Sequence, residues 1–92
     1  MGESNSGAEG ALRRIPGGVR FPAKIHGIHF YCFITTHALM LLPGDPRPVQ
    51  KFVDNQALIR RITAKKVSKL IAPLSEDTLI CILPEDVQEE LL

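Results

Sequence analysis

Val19-Arg20-Phe21-Pro22-Ala23-Lys24-Ile25-His26-Gly27-Ile28-His29-Phe30-Tyr31-Cys32-Phe33-Ile34 is the stretch whose reading decides the fold. Val19, Phe21, Ala23 and Ile25 alternate with Arg20, Pro22, Lys24 and His26, the period-two signature of a strand with one buried face. Pro22 cannot donate to a ladder, so its strand is expected at an edge, or with that position turned outward. Gly27 marks a tight turn into a second strand. There Ile28, Phe30, Cys32 and Ile34 take one face, and His29, Tyr31 and Phe33 the other. The two strands read as a β-hairpin whose second member carries large side chains on both faces.

Upstream, residues 1–18 hold five of the seven glycines and scattered apolar side chains, ending in Pro16-Gly17-Gly18. This segment reads as a flexible leader, with Arg13 and Arg14 solvated, and 19–92 as a single small domain. Downstream, Thr35 and Thr36 are N-cap residues for a short helix over His37–Leu42. Pro43-Gly44-Asp45-Pro46-Arg47-Pro48 breaks regular structure.

A long helix is expected over Val49–Ile71. At 100° per residue, Val49, Phe52, Val53, Ile59, Ile62, Thr63, Val67, Leu70 and Ile71 share one broad face. Leu58 falls on the far side, and Gln50, Lys51, Asp54, Arg61, Lys65 and Lys69 take the opposite arc. Ala72-Pro73 ends the helix. Leu79-Ile80-Cys81-Ile82-Leu83, an unbroken apolar run, suits a central strand buried on both faces. Pro84-Glu85-Asp86 opens a last short helix with carboxylates at its positive end, and Val87 and Leu91 share a docking face. The expectation is an α+β domain in β-β-α-α-β-α order: a three-stranded, mostly antiparallel sheet with one long helix across a face.

Val19-Arg20-Phe21-Pro22-Ala23, Gly27, Cys32 with Ile34, and Ala38-Leu39 resemble the opening of a small bacterial family catalogued as Domain of Unknown Function 1488. The spacing of Phe52, Asn55, Ile59 and Ala64 is similar to that family's second half. The likeness runs from Val19 to Val87 and departs from the family's pattern at His37 and Gln56. The resemblance implies a compact bacterial α+β domain, with no activity attached.

The chain has 92 residues, 45% hydrophobic and 23% charged, an ordinary globular mix that excludes a largely disordered chain. At this length about 64% of the unfolded surface is buried on folding, enough for one core with little stability to spare. Apolar stretches before Pro43, such as Ala38–Leu42, are far shorter than a bilayer span. Residues 1–10 have no apolar run behind them, so no signal peptide is expected. The expected compartment is the cytosol, with Cys32 and Cys81 reduced.

Charge is segregated although the net is only +1. Arg47–Lys69 holds seven basic residues against Asp54 alone, and Leu70–Leu92 holds six acidic residues and no basic one. A basic helix face of Lys51, Arg61, Lys65 and Lys69 could neutralise phosphates, a nucleic-acid reading that no motif supports. The plainer reading is a solvated face whose field the acidic C-terminus offsets. His26, His29 and Cys32 invite a metal reading, but strand alternation sends His29 and Cys32 to opposite faces. Cys32 with His37 suggests a thiol nucleophile and base, yet Cys32 lies among inward residues, where a thiol behaves as a small hydrophobe. No phosphate loop or nucleophile motif is present. Neither catalysis nor a cofactor is expected. Tyr31 and Phe33, with Leu58, form the candidate partner surface. The leading expectation is therefore a non-catalytic protein-interaction or regulatory module, bound to another protein or to itself. An accessory nucleic-acid binder is the alternative.

Overall fold

A computed structural model of the chain describes residues 12–70 and 73–92. Eight elements follow in order: β1 (Arg13–Ile15), β2 (Gly18–Ile25), β3 (Ile28–Thr35), α1 (Thr36–Met40), α2 (Pro48–Asp54), α3 (Gln56–Ser68), β4 (Leu79–Ile82) and α4 (Pro84–Leu91). They make an α+β fold with one mixed, four-stranded sheet in the order β1-β2-β3-β4. β1, β2 and β3 pair antiparallel, whereas β4 runs parallel to β3.

The expected hairpin is present. His26 and Gly27 form a two-residue turn with positive φ at both positions (55° and 78°), matched to the right-handed twist of the strands it joins. Arg13–Ile15 and Gly18, assigned to the leader by sequence, instead belong to the sheet. Pro16-Gly17, with Gly17 at φ 90°, turns β1 back onto β2. Residues 1–11 of the expected leader lie outside the described residues. β2 is thus an inner strand, but β1 reaches only Arg20. The two-residue turn makes Ile25 and Ile28 the closing hydrogen-bonded pair. Alternation then directs the Pro22 nitrogen away from β3, where its missing N–H costs no ladder bond.

Val19, Phe21, Ala23, Phe30, Cys32, Ile34, Ile80 and Ile82 line one buried face of the sheet. The helices supply Ala38, Leu39, Phe52, Ile59, Ile62, Val67 and Val87 to the same core. The Phe21 and Phe52 rings pack 4.7 Å apart at 50°. Thr35 caps α1 as expected, its Oγ1 accepting from Ala38 N at 3.0 Å.

The single long helix is two helices. Asn55, at φ −118° and ψ 22°, interrupts it, while its Nδ2 donates to the Pro43 and Lys51 carbonyls. The break resets the helical phase, which brings Leu58 to the core instead of the far side. Ile71 and Ala72, the expected helix end, lie outside the described residues. The strand expected to be central, β4, is at the edge. Only Ile80 and Ile82 of it are buried, and Leu79 is 61% exposed. In α4, Val87 docks and Leu91 stays exposed. No helix among the described residues is long and apolar enough to cross a membrane.

Candidate functional site

Strand alternation gives the sheet a second face, made by Arg13 and Ile15 of β1, Gly18, Arg20, Pro22 and Lys24 of β2, His29, Tyr31, Phe33 and Thr35 of β3, and Leu79 and Cys81 of β4. Apart from Gly18, none of these positions is buried, because the helices pack on the other face. The register sets them in rows. Arg20, Phe33 and Cys81 lie side by side, as do Pro22, Tyr31 and Leu79, and Lys24 is level with His29.

Two contacts shape this face. A side chain at Gly18 would run into the Ile34 carbonyl oxygen and come within 2.8 Å of Phe33 Cζ. Glycine there lets the Phe33 ring lie across β2, half-buried, instead of standing off the sheet. The Arg20 guanidinium sits 4.5 Å from the Tyr31 ring centroid, a cation–π contact. Its Nε is buried with no hydrogen-bond partner among the described residues. Beside Tyr31, a hollow of about 280 Å³ is lined by Pro22, His29, Phe30, Tyr31 and Glu76.

The candidate residues therefore separate. Tyr31, 46% exposed, and Phe33 share the open face. Leu58 lies on the helical side and packs against the core. Lys51 is buried, and its Nζ donates to the Leu42 carbonyl at 2.8 Å, tying α2 to the end of the α1 segment. It is not part of a solvated basic arc. The other three cations face α4. Arg61 Nε and Lys65 Nζ meet Glu90 at 3.3 and 2.7 Å, and Lys69 Nζ meets Glu89 at 3.0 Å. The Lys65 hydrogen bond is the main reason the Glu90 carboxyl titrates below its ordinary value.

Lys66, absent from the candidate set, holds this side together. Its Nζ donates to the Cys81 carbonyl at 2.6 Å and to Asp86 Oδ2 at 2.7 Å. The same Asp86 oxygen accepts from Leu83 N at 2.8 Å, at the start of α4. Lys66 thereby caps a carbonyl of the β4 edge.

The cysteines do not meet in the core. Cys32 is buried there, its thiol pushed up to about 12 by burial, whereas Cys81 is half-buried on the open face. His37 is exposed on α1, so it makes no base beside the buried Cys32 thiol. His29 is exposed and Cys32 buried on opposite faces, so those two do not converge on a metal.

Sequence reasoning missed Arg13, Arg20, Lys24, Ile15 and Leu79 as surface partners of Tyr31 and Phe33. The signal was present in β2, where Arg20 and Lys24 alternate outward. It was absent for Arg13, whose place depends on an unexpected strand. Comparison with protein-family models, with curated proteins and with solved structures found no match to this chain.

Proposed function

We propose that this chain is a non-catalytic interaction module whose working surface is the open face of its sheet. One observation carries the reading. The apolar and aromatic side chains of Ile15, Tyr31, Phe33 and Leu79 lie together on a face that no helix among the described residues covers, with Leu79 61% and Tyr31 46% exposed. A contiguous patch of this kind, rimmed by charge, marks a binding surface. The bacterial origin that the resemblance to Domain of Unknown Function 1488 implies, and the cytosol expected from the sequence, are part of the proposal.

The basic face of α3 is the weaker candidate, since Arg61, Lys65 and Lys69 are each within 3.3 Å of a carboxylate of α4. Binding a phosphate there would first break an existing pair.

Photo-crosslinking in the source cell tests the choice of surface. A photoreactive phenylalanine analogue in place of Tyr31 is expected to give adducts. The same analogue in place of Arg61 is expected to give none. Adducts from position 61 alone, or from neither position, would overturn the proposal.

A further inference from the structure

We infer that the open sheet face binds single-stranded nucleic acid, with bases stacked on Tyr31 and Phe33 and phosphates held by Arg13, Arg20 and Lys24. The inference rests on the open face being the working surface and names its partner.

The aromatic pair comes first. Tyr31 and Phe33 are two residues apart on β3 and project from the same side. Residues so spaced stand about 6.8 Å apart along a strand, twice the 3.4 Å rise of stacked nucleotides. Adjacent bases can therefore occupy both rings only where the strand is stretched and its bases unstacked. That geometry admits a single strand and excludes a duplex, whose bases present no free π-face. Gly18 contributes by letting the Phe33 ring lie across the neighbouring strand.

The cations lie on one side of that pair. Arg20 is level with Phe33, and Lys24 is level with His29, so a basic line on β2 runs alongside the aromatic line on β3. Arg13 stands next to Arg20 across the β1–β2 ladder and doubles the charge at that end. None of the three pairs with a carboxylate among the described residues, in contrast to Arg61, Lys65, Lys66 and Lys69. Arg20 also keeps a buried Nε without a partner among the described residues and a guanidinium over the Tyr31 ring, a composite on which a base can stack. On the opposite side of the aromatics, Leu79 and Cys81 are uncharged and Glu76 borders the hollow beside Tyr31. This asymmetry sets the sugar-phosphate backbone over β2 and the bases toward β4.

A second copy of the chain would also meet apolar surface here, but it would bring the three cations of each copy into one interface, with Glu76 as the carboxylate bordering each face. A polyanion with flat apolar bases satisfies both halves of the surface at once.

Fluorescence anisotropy on the intact protein tests the inference, using labelled mixed-sequence RNA and DNA strands about eight nucleotides long. The annealed duplex of the same sequence is the control. Saturable single-strand binding is expected, weaker by about tenfold or more for the duplex. Three phosphate contacts set a log–log salt slope of about −2, so binding falls about twentyfold between about 50 and 200 mM salt. Tyr31→Leu and Phe33→Leu keep apolar bulk but remove the π-face, and each is expected to weaken binding by about tenfold. Arg20→Gln is expected to reduce the slope by about 0.7, whereas Arg61→Gln leaves binding unchanged. Circular dichroism of each variant separates lost binding from lost fold. The RNA and DNA arms identify which strand the face prefers.

Absence of binding at low salt, equal binding to duplex, or indifference to Tyr31→Leu in a folded variant would overturn the inference. If position 31 still crosslinks to protein in the cell, the interaction module stands with a protein or a second copy as its occupant. If position 31 crosslinks to nothing, both proposals fall.

Discussion

The molecule carries two charged surfaces of opposite character. On the outer side of α3, Arg61, Lys65, Lys66 and Lys69 meet Glu90, Asp86 and Glu89 of α4 at distances from 2.7 to 3.3 Å. On the open sheet face, Arg13, Arg20 and Lys24 meet no carboxylate among the described residues, and aromatic rings stand between them and β4. The denser basic run in the sequence thus makes the more nearly neutral surface, because the acidic C-terminal helix folds back on it. The sparser one keeps its field. Charge counted along a chain says where cations are made, and only the fold says where they remain available.

The two cysteines give the widest separation between the buried side of the sheet and the open one. Cys32 lies in the core and Cys81 next to Phe33 on the open face. With a thiol reagent at neutral pH, Cys81 is expected to react in the native state, and Cys32 only through opening of the core. That makes Cys32 slower by about a thousandfold, followed by mass spectrometry. A strand bound on the open face should slow Cys81 and leave Cys32 unchanged. Burial also raises the Cys32 thiol from an ordinary 9.0 to about 12. A raised folded value means the protonated thiol is favoured in the native state. Its contribution is complete below pH 9.0 and lost as pH climbs toward 12, so alkaline unfolding should be delayed in Cys32→Ala relative to that variant's own neutral stability. Equal labelling rates for the two thiols would break the contrast.

Gly18→Ala attacks the same sheet from its open side. The added methyl collides with the Ile34 carbonyl and the Phe33 ring, and the carbonyl belongs to an inner strand that has little room to give. A loss of about 3 kcal/mol in urea unfolding is expected. Gly27→Ala places a side chain at φ 78° but meets no atom within 4 Å, so its cost is expected to be about 1 kcal/mol.

Much of this architecture is legible in the residues. The alternation from Val19 to Ile34 fixes the hairpin and its register, and the Thr35 cap and the Pro84 helix start follow from short-range chemistry. What could not be read depends on tertiary context. Leu79, Cys81 and Leu83 make an unbroken apolar run with Ile80 and Ile82, a pattern that predicts burial on both faces. Their strand lies at the edge, and Leu79 contributes to the open platform instead. Arg13–Ile15 is too short and too charged to announce a strand, and it forms one because Pro16-Gly17 folds it onto β2. Lys51 and Leu58, both expected away from the core, lie toward it in a helix that breaks at Asn55, a break that no propensity at that position demands. Tyr31 and Phe33 are legible as outward residues of β3, whereas Arg20 and Lys24 become their neighbours only through the β2–β3 register.

The helical side offers the next smaller effect. Asp86 Oδ2 accepts both Lys66 Nζ and Leu83 N, so Asp86→Ala removes a cap and leaves a partly buried ammonium with one partner fewer. A loss of about 2 kcal/mol is expected in thermal or urea unfolding. Nucleic-acid binding at a temperature where the variant is folded should not change. A variant that loses binding while folded would show that the two surfaces are coupled.

Glu90→Gln should have the smallest effect, and its pH dependence is the informative part. Lys65, then Arg61, hold the Glu90 carboxyl below its ordinary value of 4.5. A lowered folded value means the ionised form is favoured in the native state. Its contribution is therefore present above the ordinary carboxylate range and disappears as pH falls through the lower folded value. The Arg61 and Lys65 ends of these pairs are exposed although the Glu90 side chain is only 11% exposed, and screening at those ends keeps the pairs weak, so the wild-type and Glu90→Gln melting temperatures should differ slightly at neutral pH and converge in acid. High salt should bring them together as well. The sharper readout is on the other side of the molecule. Removing the Glu90 charge frees Arg61 and Lys65 together, which makes the helical face more like the sheet face in charge but gives it no aromatic platform. If stacking selects the surface, Glu90→Gln leaves single-strand affinity at Tyr31 nearly unchanged. A large gain that survives Tyr31→Leu would transfer the binding site to α3.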